Sequence, residues 1–246
     1  MSCRTRGSPS GSRTSLGAPA RTVDFTVPTG NFGDIFAGYV AKRMGLPIRC
    51  LRIAANVNDI LARTLKTGIY EVREVHATAS PSMDIQVSSN FERLLFEASG
   101  RDASLVRGLM ASLGQSGRFV LPDRVLAAIR SEFDAGRADE TETNAAIRAA
   151  WREAGILVDP HTAVALAVAD RDTSDSSIPN IVLSTAHAAK FPDAVETACG
   201  VRPPLPAWLE GLMTKPEHMK VMKSDQAEVE RFVLSVSRAA KQGVAG

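Results

Sequence analysis

The sequence predicts an α/β fold, with a parallel, twisted sheet and flanking helices. Val23, Phe25 and Val27 alternate with polar neighbours as in a strand, and the run IRCLRIA at 48–54 predicts a second strand. The helical spacing of IFAGYVAKRM between them completes a strand, helix, strand unit, and such units pair their strands in parallel. With 246 residues, 44% of them hydrophobic, the chain can bury a sizeable core in one large domain or in a body with a smaller lobe.

Composition argues against several classes of protein. No stretch approaches the roughly 18 consecutive apolar residues that a membrane helix needs, and no apolar signal segment opens the chain, so we expect a cytoplasmic protein with no membrane partner. Four of the 29 basic residues lie in residues 1–22, which leaves 25 basic against 27 acidic residues and argues against a nucleic-acid binder. The three cysteines are too widely spaced for a disulfide framework or a metal site.

Residues 1–20 are expected to form a disordered tail. The first part of this tail is mainly Ser, Gly and Arg, and such a segment buries too little apolar surface to offset the entropy lost on ordering. One hypothesis is that the tail is not native and reflects a truncated or shifted reading frame. Residues 21–246 are then the folded domain.

The loop between the first strand and its helix has the chemistry of an anion site. Pro28 ends the strand, and Gly30 and Gly33 permit backbone angles that other residues resist. The free N–H groups of such a loop and the positive end of the following helix meet at one point, where a phosphate can bind. However, two glycines three residues apart are equally compatible with a tight turn that binds no ligand.

The chain between this loop and residue 101 predicts two further helices and a strand. One helix is expected to end at Gly68, and IYEVREV at 69–75 alternates like a strand exposed on one side. Ser89 and Glu92 have the spacing of a capping box that opens the next helix, which Gly100 ends. Helices and strands thus continue to alternate.

Residues 102–154 are predicted to form a helical insertion or lobe of at least three amphipathic helices. The second of them runs from Asp123 to Phe133, and Trp151 packs as an anchor in the third. Another apolar helix follows with Pro160 at its opening, and NIVLS at 180–184 predicts a short buried strand. The last helix is predicted over 225–241. The elements beyond residue 200 suggest packing and no chemistry.

Five runs resemble, in the same order, motifs of the threonine synthase family. They are VPTGNFGDIFAGYVAKRMGLPI, SPSMDI (80–85), SNFER (89–93), DPHTAVA (159–165) and STAHAAKF (184–191). The resemblance spans most of residues 16–198. It implies the tryptophan-synthase-β-like fold of pyridoxal-phosphate enzymes (fold type II), incomplete at its N-terminus. It also implies conversion of O-phospho-L-homoserine and water to L-threonine and phosphate.

The resemblance assigns the cofactor, pyridoxal phosphate, to two segments of the chain. Its phosphate would be held by five residues of the loop, namely Gly30, Asn31, Phe32, Gly33 and Asp34. Backbone N–H groups would do the holding, and Asp34 is better explained as a helix cap because its carboxylate would repel the phosphate. The ring nitrogen would meet the hydroxyl of Thr185, with Ser184 as the alternative, although Thr185 could instead be a helix N-cap. The family usually has proline where this chain has Ala188.

Four side chains in these motifs are candidate substrate contacts: Ser82, Arg93, His161 and His187. Arg93 suits bidentate binding of a carboxylate or phosphate, but a surface position on a helix is an equal alternative, and either histidine could be a packing residue. None of the lysines matches the Schiff-base position of the family, so no catalytic residue is assigned in this chain. No metal ligand is assigned either.

The predicted function is therefore that of the carboxy-terminal portion of a threonine synthase, a fragment that is not expected to be active by itself. Its expected partners are the substrate and either a complementing amino-terminal half or a second copy of the chain. Two alternatives stay open: a related phospho-lyase, which would release phosphate and a keto acid, and a non-catalytic fragment.

Overall fold

The structure, a computed structural model, describes residues 21–172 and 177–238. The tail predicted at 1–20 lies outside the described residues, as does the end of the helix predicted over 225–241. The chain divides into two units, one ending at Pro204 and the other beginning at Leu205. The sheet and the sequence motifs belong to the first unit.

The described part of the first unit contains six strands and eight helices. The strands are β1 (Val23–Pro28), β2 (Ile48–Ala55), β3 (Ile69–Glu71), β4 (Arg118–Val120), β5 (Phe133–Arg137) and β6 (Asn180–Val182). The helices are α1 (Gly33–Arg43), α2 (Ile60–Thr67), α3 (Phe91–Ala98), α4 (Ala103–Ser116), α5 (Asp123–Arg130), α6 (Glu140–Ala154), α7 (Pro160–Asp170) and α8 (Pro192–Cys199).

Four of these strands form a parallel sheet in the order β5-β2-β1-β6. Phe25 of β1 pairs with Leu51 of β2 on one side and with Ile181 of β6 on the other. The parallel unit predicted at 23–54 is therefore confirmed. The chain leaves β1 toward β2, whereas β6 lies on the opposite side of β1, so the strand order reverses beside β1. In open parallel sheets, ligands bind at the carboxyl ends of the strands at such a reversal.

Two apolar clusters cover the two faces of this sheet. Ile53 belongs to the cluster that includes α1, α2, α3 and α5, and the next residue, Ala54, belongs to the cluster that includes α6, α7 and α8. Successive side chains of a strand point to opposite faces, so helices flank the sheet on both sides. Helix α7 is buried almost all round, with Ala163, Val164 and Ala165 fully inaccessible to solvent. Its uniformly apolar sequence reflects this central position.

Strands β3 and β4 form a separate antiparallel pair. The Tyr70 ring of β3 stacks on Phe119 of β4 at 4.7 Å and on Phe91 of α3 at 5.6 Å. The strand predicted at 69–75 ends at Glu71, because its partner β4 is only three residues long. Residues 72–78 continue without regular structure.

Residues 102–154 contain the three predicted helices, α4 to α6, and also β4 and β5, which the sequence did not predict. Because β5 is the edge strand of the main sheet, this stretch is not purely helical and is in part integral to the body. Phe133, placed in a helix by its spacing, begins β5, where its ring lies 5.8 Å from Phe32 and 5.9 Å from Tyr39. Trp151 is half-buried and lies outside both core clusters.

The helix caps differ in part from the predicted ones. Gly68 ends α2 in a left-handed conformation, as predicted. The capping box predicted from Ser89 and Glu92 does not form, since Asn90 occupies the N-cap position of α3 without a side-chain cap bond. The Ser89 side chain turns instead to the loop at the start of α1. A capping box that the sequence did not predict opens α6, where Asp139 is the N-cap residue.

The second unit, which the structure describes up to residue 238, contains in that part α9 (Gln226–Val236) and two short 3-10 turns, at Ala207–Leu209 and Leu212–Thr214. Asp225 begins α9 by accepting the N–H of Glu228 at 2.8 Å, which confirms the start of the predicted last helix. The helix ends at Val236, before the predicted end, because Ser237 is extended. None of the helices in residues 21–172 and 177–238 is long and apolar enough to cross a membrane.

Candidate functional site

A cavity of about 310 Å³ opens at the carboxyl end of β1, beside the reversal of the strand order. Its lining consists of the loop from Pro28 to Ile35, Ser82 and Met83, His161, Thr185 and Ala186, and Lys190 and Phe191. Four motifs that are far apart in the sequence therefore meet at this cavity. We take it as the candidate site.

Phe32 fixes the shape of the loop. Its backbone is left-handed, with φ 67°, and α1 begins at the next residue. This conformation costs a residue with a side chain roughly 1–2 kcal/mol. The Phe32 ring is, however, 1% exposed and lies edge-on to Phe91 at 5.4 Å. Burying such a side chain contributes roughly 1.5–3 kcal/mol, so the core holds the loop in its turned conformation.

The loop presents a row of free hydrogen-bond donors. From Gly30 to Ile35, six consecutive backbone N–H groups have no acceptor among the described residues. Those from Gly33 onward belong to the first turn of α1, whose N–H groups have no partner inside the helix. The positive end of the helix dipole lies at the same place. This arrangement suits an anion such as phosphate.

Asp34 is not the helix cap that the sequence predicted. Phe32 occupies the N-cap position of α1, and no side-chain capping bond forms there. Asp34 is exposed in the first turn of α1 and lines the cavity. A carboxylate at this position interacts favourably with the helix dipole, but it repels an anion at close range. The backbone, and not this side chain, is suited to bind the anion.

Gly30 lies directly against the 3-10 turn Pro81–Met83. A Cβ at residue 30 would lie 2.5 Å from the carbonyl oxygen of Ser82 and 3.3 Å from the Cα of Met83. Only glycine therefore allows the loop and the turn to approach this closely. At Gly33 a Cβ would meet no protein atom nearer than 3.9 Å. The SPSMDI motif thus forms one wall of the cavity, in contact with the loop.

Asp84 anchors this wall to the sheet. Its carboxylate accepts the side-chain amides of Asn56 and Asn58 at 2.8 and 3.0 Å, and the hydroxyl and N–H of Thr78 at 2.7 and 2.8 Å. Asn56 and Asn58 are almost fully buried just beyond the end of β2. Four donors compensate the carboxylate, so the segment is held in one position.

His161 links the start of α7 to the same wall. Its Nδ1 lies 2.8 Å from the carboxylate of Asp159, and its Nε2 accepts the N–H of Ser82 at 3.3 Å. The Ser82 N–H requires an acceptor, so the proton of the neutral imidazole is on Nδ1, where Asp159 accepts it. Asp159 is completely buried and also accepts the hydroxyl of Thr162. His161 therefore lines the cavity with both ring nitrogens engaged.

Thr185 lies on the rim of the cavity, and its hydroxyl makes no hydrogen bond to any residue that the structure describes. It is not a helix N-cap, because His187 caps the 3-10 turn Ala188–Lys190. The Oγ of the alternative ring contact, Ser184, lies 3.3 Å from the Oγ of Thr162, whose proton is donated to Asp159. Of the two residues, Thr185 is the one that lines the cavity.

Of the four candidate substrate contacts, the structure places two at the cavity and two outside it. Ser82 and His161 line the cavity, whereas His187 and Arg93 do not. The His187 Nδ1 accepts the N–H of Ala189 at 3.1 Å, and Arg93 is exposed on α3. Lys190, to which the sequence assigned no role, does line the cavity. The sequence signal that could have indicated its place at the cavity is its position in the STAHAAKF motif, which follows a strand.

A larger groove, of about 1040 Å³, runs along the free edge of β5, but none of the five motifs contributes to its lining. Its Arg52 is engaged with Asp134 at 3.0 Å and with Asp172 at 2.7 Å. Burial raises the pKa of the Cys50 thiol in this groove to about 11, so the thiol is neutral and a poor nucleophile. Within the described residues, no group of three or more His, Cys, Asp or Glu side chains could hold a metal ion.

Comparison with known proteins agrees with this geometry. The family model described as "Threonine synthase, C-terminal" matches residues 162–233. Threonine synthase of Pseudomonas aeruginosa is 45% identical over 219 residues, which cover 89% of this chain and 47% of that protein.

Two solved structures are similar as well. A PLP-bound threonine synthase from Brucella melitensis has 60% identity and a TM-score of 0.84, with 91% of this chain and 48% of that chain covered. Threonine synthase from yeast has 37% identity and a TM-score of 0.78, with 89% and 48% covered. The chain thus spans about half the length of the relatives it matches. By sequence and by fold, the chain is similar to about half of these threonine synthases, and its residues 162–233 match the carboxy-terminal model of the threonine synthase family.

Proposed function

We propose that this chain forms the part of a threonine synthase that binds the phosphate of pyridoxal phosphate. The observation that carries the proposal is the row of six N–H groups from Gly30 to Ile35 that have no acceptor among the described residues, in a loop that lines the same cavity as Thr185. The PLP-bound relative from Brucella melitensis supports the choice of cofactor.

The residues of the cavity fit this cofactor. Pyridoxal phosphate carries a phosphate at one end and a pyridine nitrogen across the ring, so it needs a cluster of donors and one separate polar contact. The amides of Gly30 to Asp34 supply the cluster, and Thr185 supplies the separate contact. A cavity of about 310 Å³ is of the size that small cofactors occupy.

When bound, the cofactor withdraws electrons from the α-carbon of an attached amino acid. The residues of this chain would bind and orient it. The loop amides would hold the phosphate, and Thr185 would donate a hydrogen bond to the ring nitrogen while leaving it without a positive charge. We assign no proton transfer to this chain, because no lysine lies in a motif that matches the family's Schiff-base position.

The proposed reaction of the whole enzyme converts O-phospho-L-homoserine and water to L-threonine and phosphate. Ser82 is the proposed substrate contact on the SPSMDI wall, and His161 is proposed to shape the pocket, since both of its nitrogens are engaged. Arg93 and His187 do not line this cavity, so the substrate contacts proposed for them would have to form outside it. We further propose a cytoplasmic enzyme, assembled with an amino-terminal half or with a second copy of the chain.

A chimera tests this function. The full chain would replace the matching carboxy-terminal part of the Pseudomonas aeruginosa threonine synthase, to which it is 45% identical. We expect the chimera to bind pyridoxal phosphate and to form L-threonine and phosphate from O-phospho-L-homoserine. Release of phosphate with a keto acid and no threonine would indicate a phospho-lyase instead. A folded chimera that binds no pyridoxal phosphate would contradict the proposal.

A further inference from the structure

Three consecutive carbonyl groups of the anion-binding loop, those of Gly30, Asn31 and Phe32, have partners, in contrast to the N–H groups of the loop. The hydroxyl of Ser88 donates to the carbonyl of Gly30 at 2.8 Å. The N–H and the side-chain amide of Asn90 both donate to the carbonyl of Asn31, at 3.1 and 2.8 Å. The carbonyl of Phe32 accepts the first hydrogen bond of α1. Three consecutive carbonyl oxygens are therefore held in place.

The direction of a carbonyl determines the direction of the next N–H. A trans peptide unit is planar, so its C=O and N–H bonds point in opposite directions. The partners of the Gly30 and Asn31 carbonyls consequently fix the N–H groups of Asn31 and Phe32 on the opposite side of the loop. If these peptide units rotated, carbonyl oxygens would face the anion and repel it.

We propose that Ser88 and Asn90 are positioning residues for the phosphate, which they never touch: they turn the loop's carbonyls away so that its amides face the anion. The inference rests on the proposed function, because it concerns the same loop. It also gives a role to Asn90 of the SNFER motif, which the sequence resemblance left without one.

Ser88 is itself rigidly held. It is 4% exposed, and its N–H donates to the phenol oxygen of Tyr70 at 2.8 Å. Burial raises the pKa of Tyr70, so the phenol stays neutral at physiological pH and is fixed between the rings of Phe91 and Phe119. The aromatic stack of β3 and β4 thus supports the Ser88 hydroxyl that holds the loop.

The test compares two ligands that differ only in the phosphate. The affinities of pyridoxal phosphate and pyridoxal would be measured by equilibrium dialysis for the full chain and for the variants Ser88→Ala and Asn90→Ala. Ser112→Ala is the matched control, because the Ser112 hydroxyl also donates to a backbone carbonyl at 2.8 Å, that of Arg118, outside the cavity. Thermal unfolding of each variant would report on stability separately.

We expect the unsubstituted chain and Ser112→Ala to prefer pyridoxal phosphate. Ser88→Ala should lose roughly fivefold of this preference, as expected for one misdirected hydrogen bond. Asn90→Ala should lose less, about twofold, because the backbone N–H of residue 90 still donates to the Asn31 carbonyl. The affinity of both variants for pyridoxal should stay unchanged. An unchanged preference in both variants, or an equal loss of both affinities, would overturn the inference. Absence of any preference in the unsubstituted chain would instead contradict the proposed function, and this inference with it.

Discussion

Replacing Gly30 by alanine perturbs the contact between the loop and the SPSMDI wall. The new Cβ would lie 2.5 Å from the carbonyl oxygen of Ser82, a backbone atom that cannot rotate away. The turn is itself restrained, because His161 accepts the Ser82 N–H at 3.3 Å. Overpacking of this kind costs roughly 1–3 kcal/mol, and the lower entropy of the unfolded alanine variant offsets about 0.4–1 kcal/mol. These ranges combine to a net loss of about 0–2.6 kcal/mol, and we expect a value near the middle, about 1.3 kcal/mol.

Urea denaturation followed by circular dichroism measures this loss, and a titration with pyridoxal phosphate measures the effect on the cavity. Gly33→Ala is the control, because a Cβ there meets no protein atom nearer than 3.9 Å. It should keep the stability of the unsubstituted chain within about 0.5 kcal/mol or gain slightly. A Gly30→Ala variant as stable as Gly33→Ala, with unchanged affinity for pyridoxal phosphate, would refute the close contact between loop and wall.

Three further predictions follow from the same geometry. His161→Phe leaves the Ser82 N–H without its acceptor, so it should lower the free energy of unfolding, measured by urea denaturation, by about 1–3 kcal/mol. The control His218→Phe changes an exposed residue and should alter this free energy by less than about 0.5 kcal/mol. Cys50 should react with iodoacetamide at pH 8 about a hundredfold more slowly than a thiol of pKa 9.0, since burial raises its pKa to about 11; mass spectrometry showing equally rapid labelling would contradict this. Borohydride reduction of the chain mixed with pyridoxal phosphate should trap no adduct at one specific lysine, and mass spectrometry showing selective labelling of one site, such as Lys190, would disprove this expectation.

The sequence predicted the central part of the fold because its signals there are local. The alternation at 23–27, the glycines of the loop and the helix that follows lie within a short segment, and the parallel pairing of β1 with β2 follows from their connection. Strands β4 and β5 were missed because their pairing partners are distant in the sequence. Phe133 has the spacing of a helical residue, but its contacts with Phe32 and Tyr39 place it in a strand.

The sequence predicted which motifs form the candidate site, but it did not predict the role of each residue in them. Thr185 lies at the same cavity as the loop because β6 pairs with β1, a pairing that no local pattern shows. No role was predicted for Asp159 of the DPHTAVA motif, although an Asp-Pro pair at the start of a helix is a capping signal. The capping box expected from Ser89 did not form, because its side chain turns to the loop. Long-range contacts decide such roles.

Phosphate binding by the loop is tested most directly by recording backbone amide resonances of the isotope-labelled chain during a titration with pyridoxal phosphate. We expect the largest shifts on the amides of residues 30–35, with smaller shifts around Thr185. Shifts confined to the groove along β5, or spread evenly over the chain, would contradict the claim that these six N–H groups bind the phosphate.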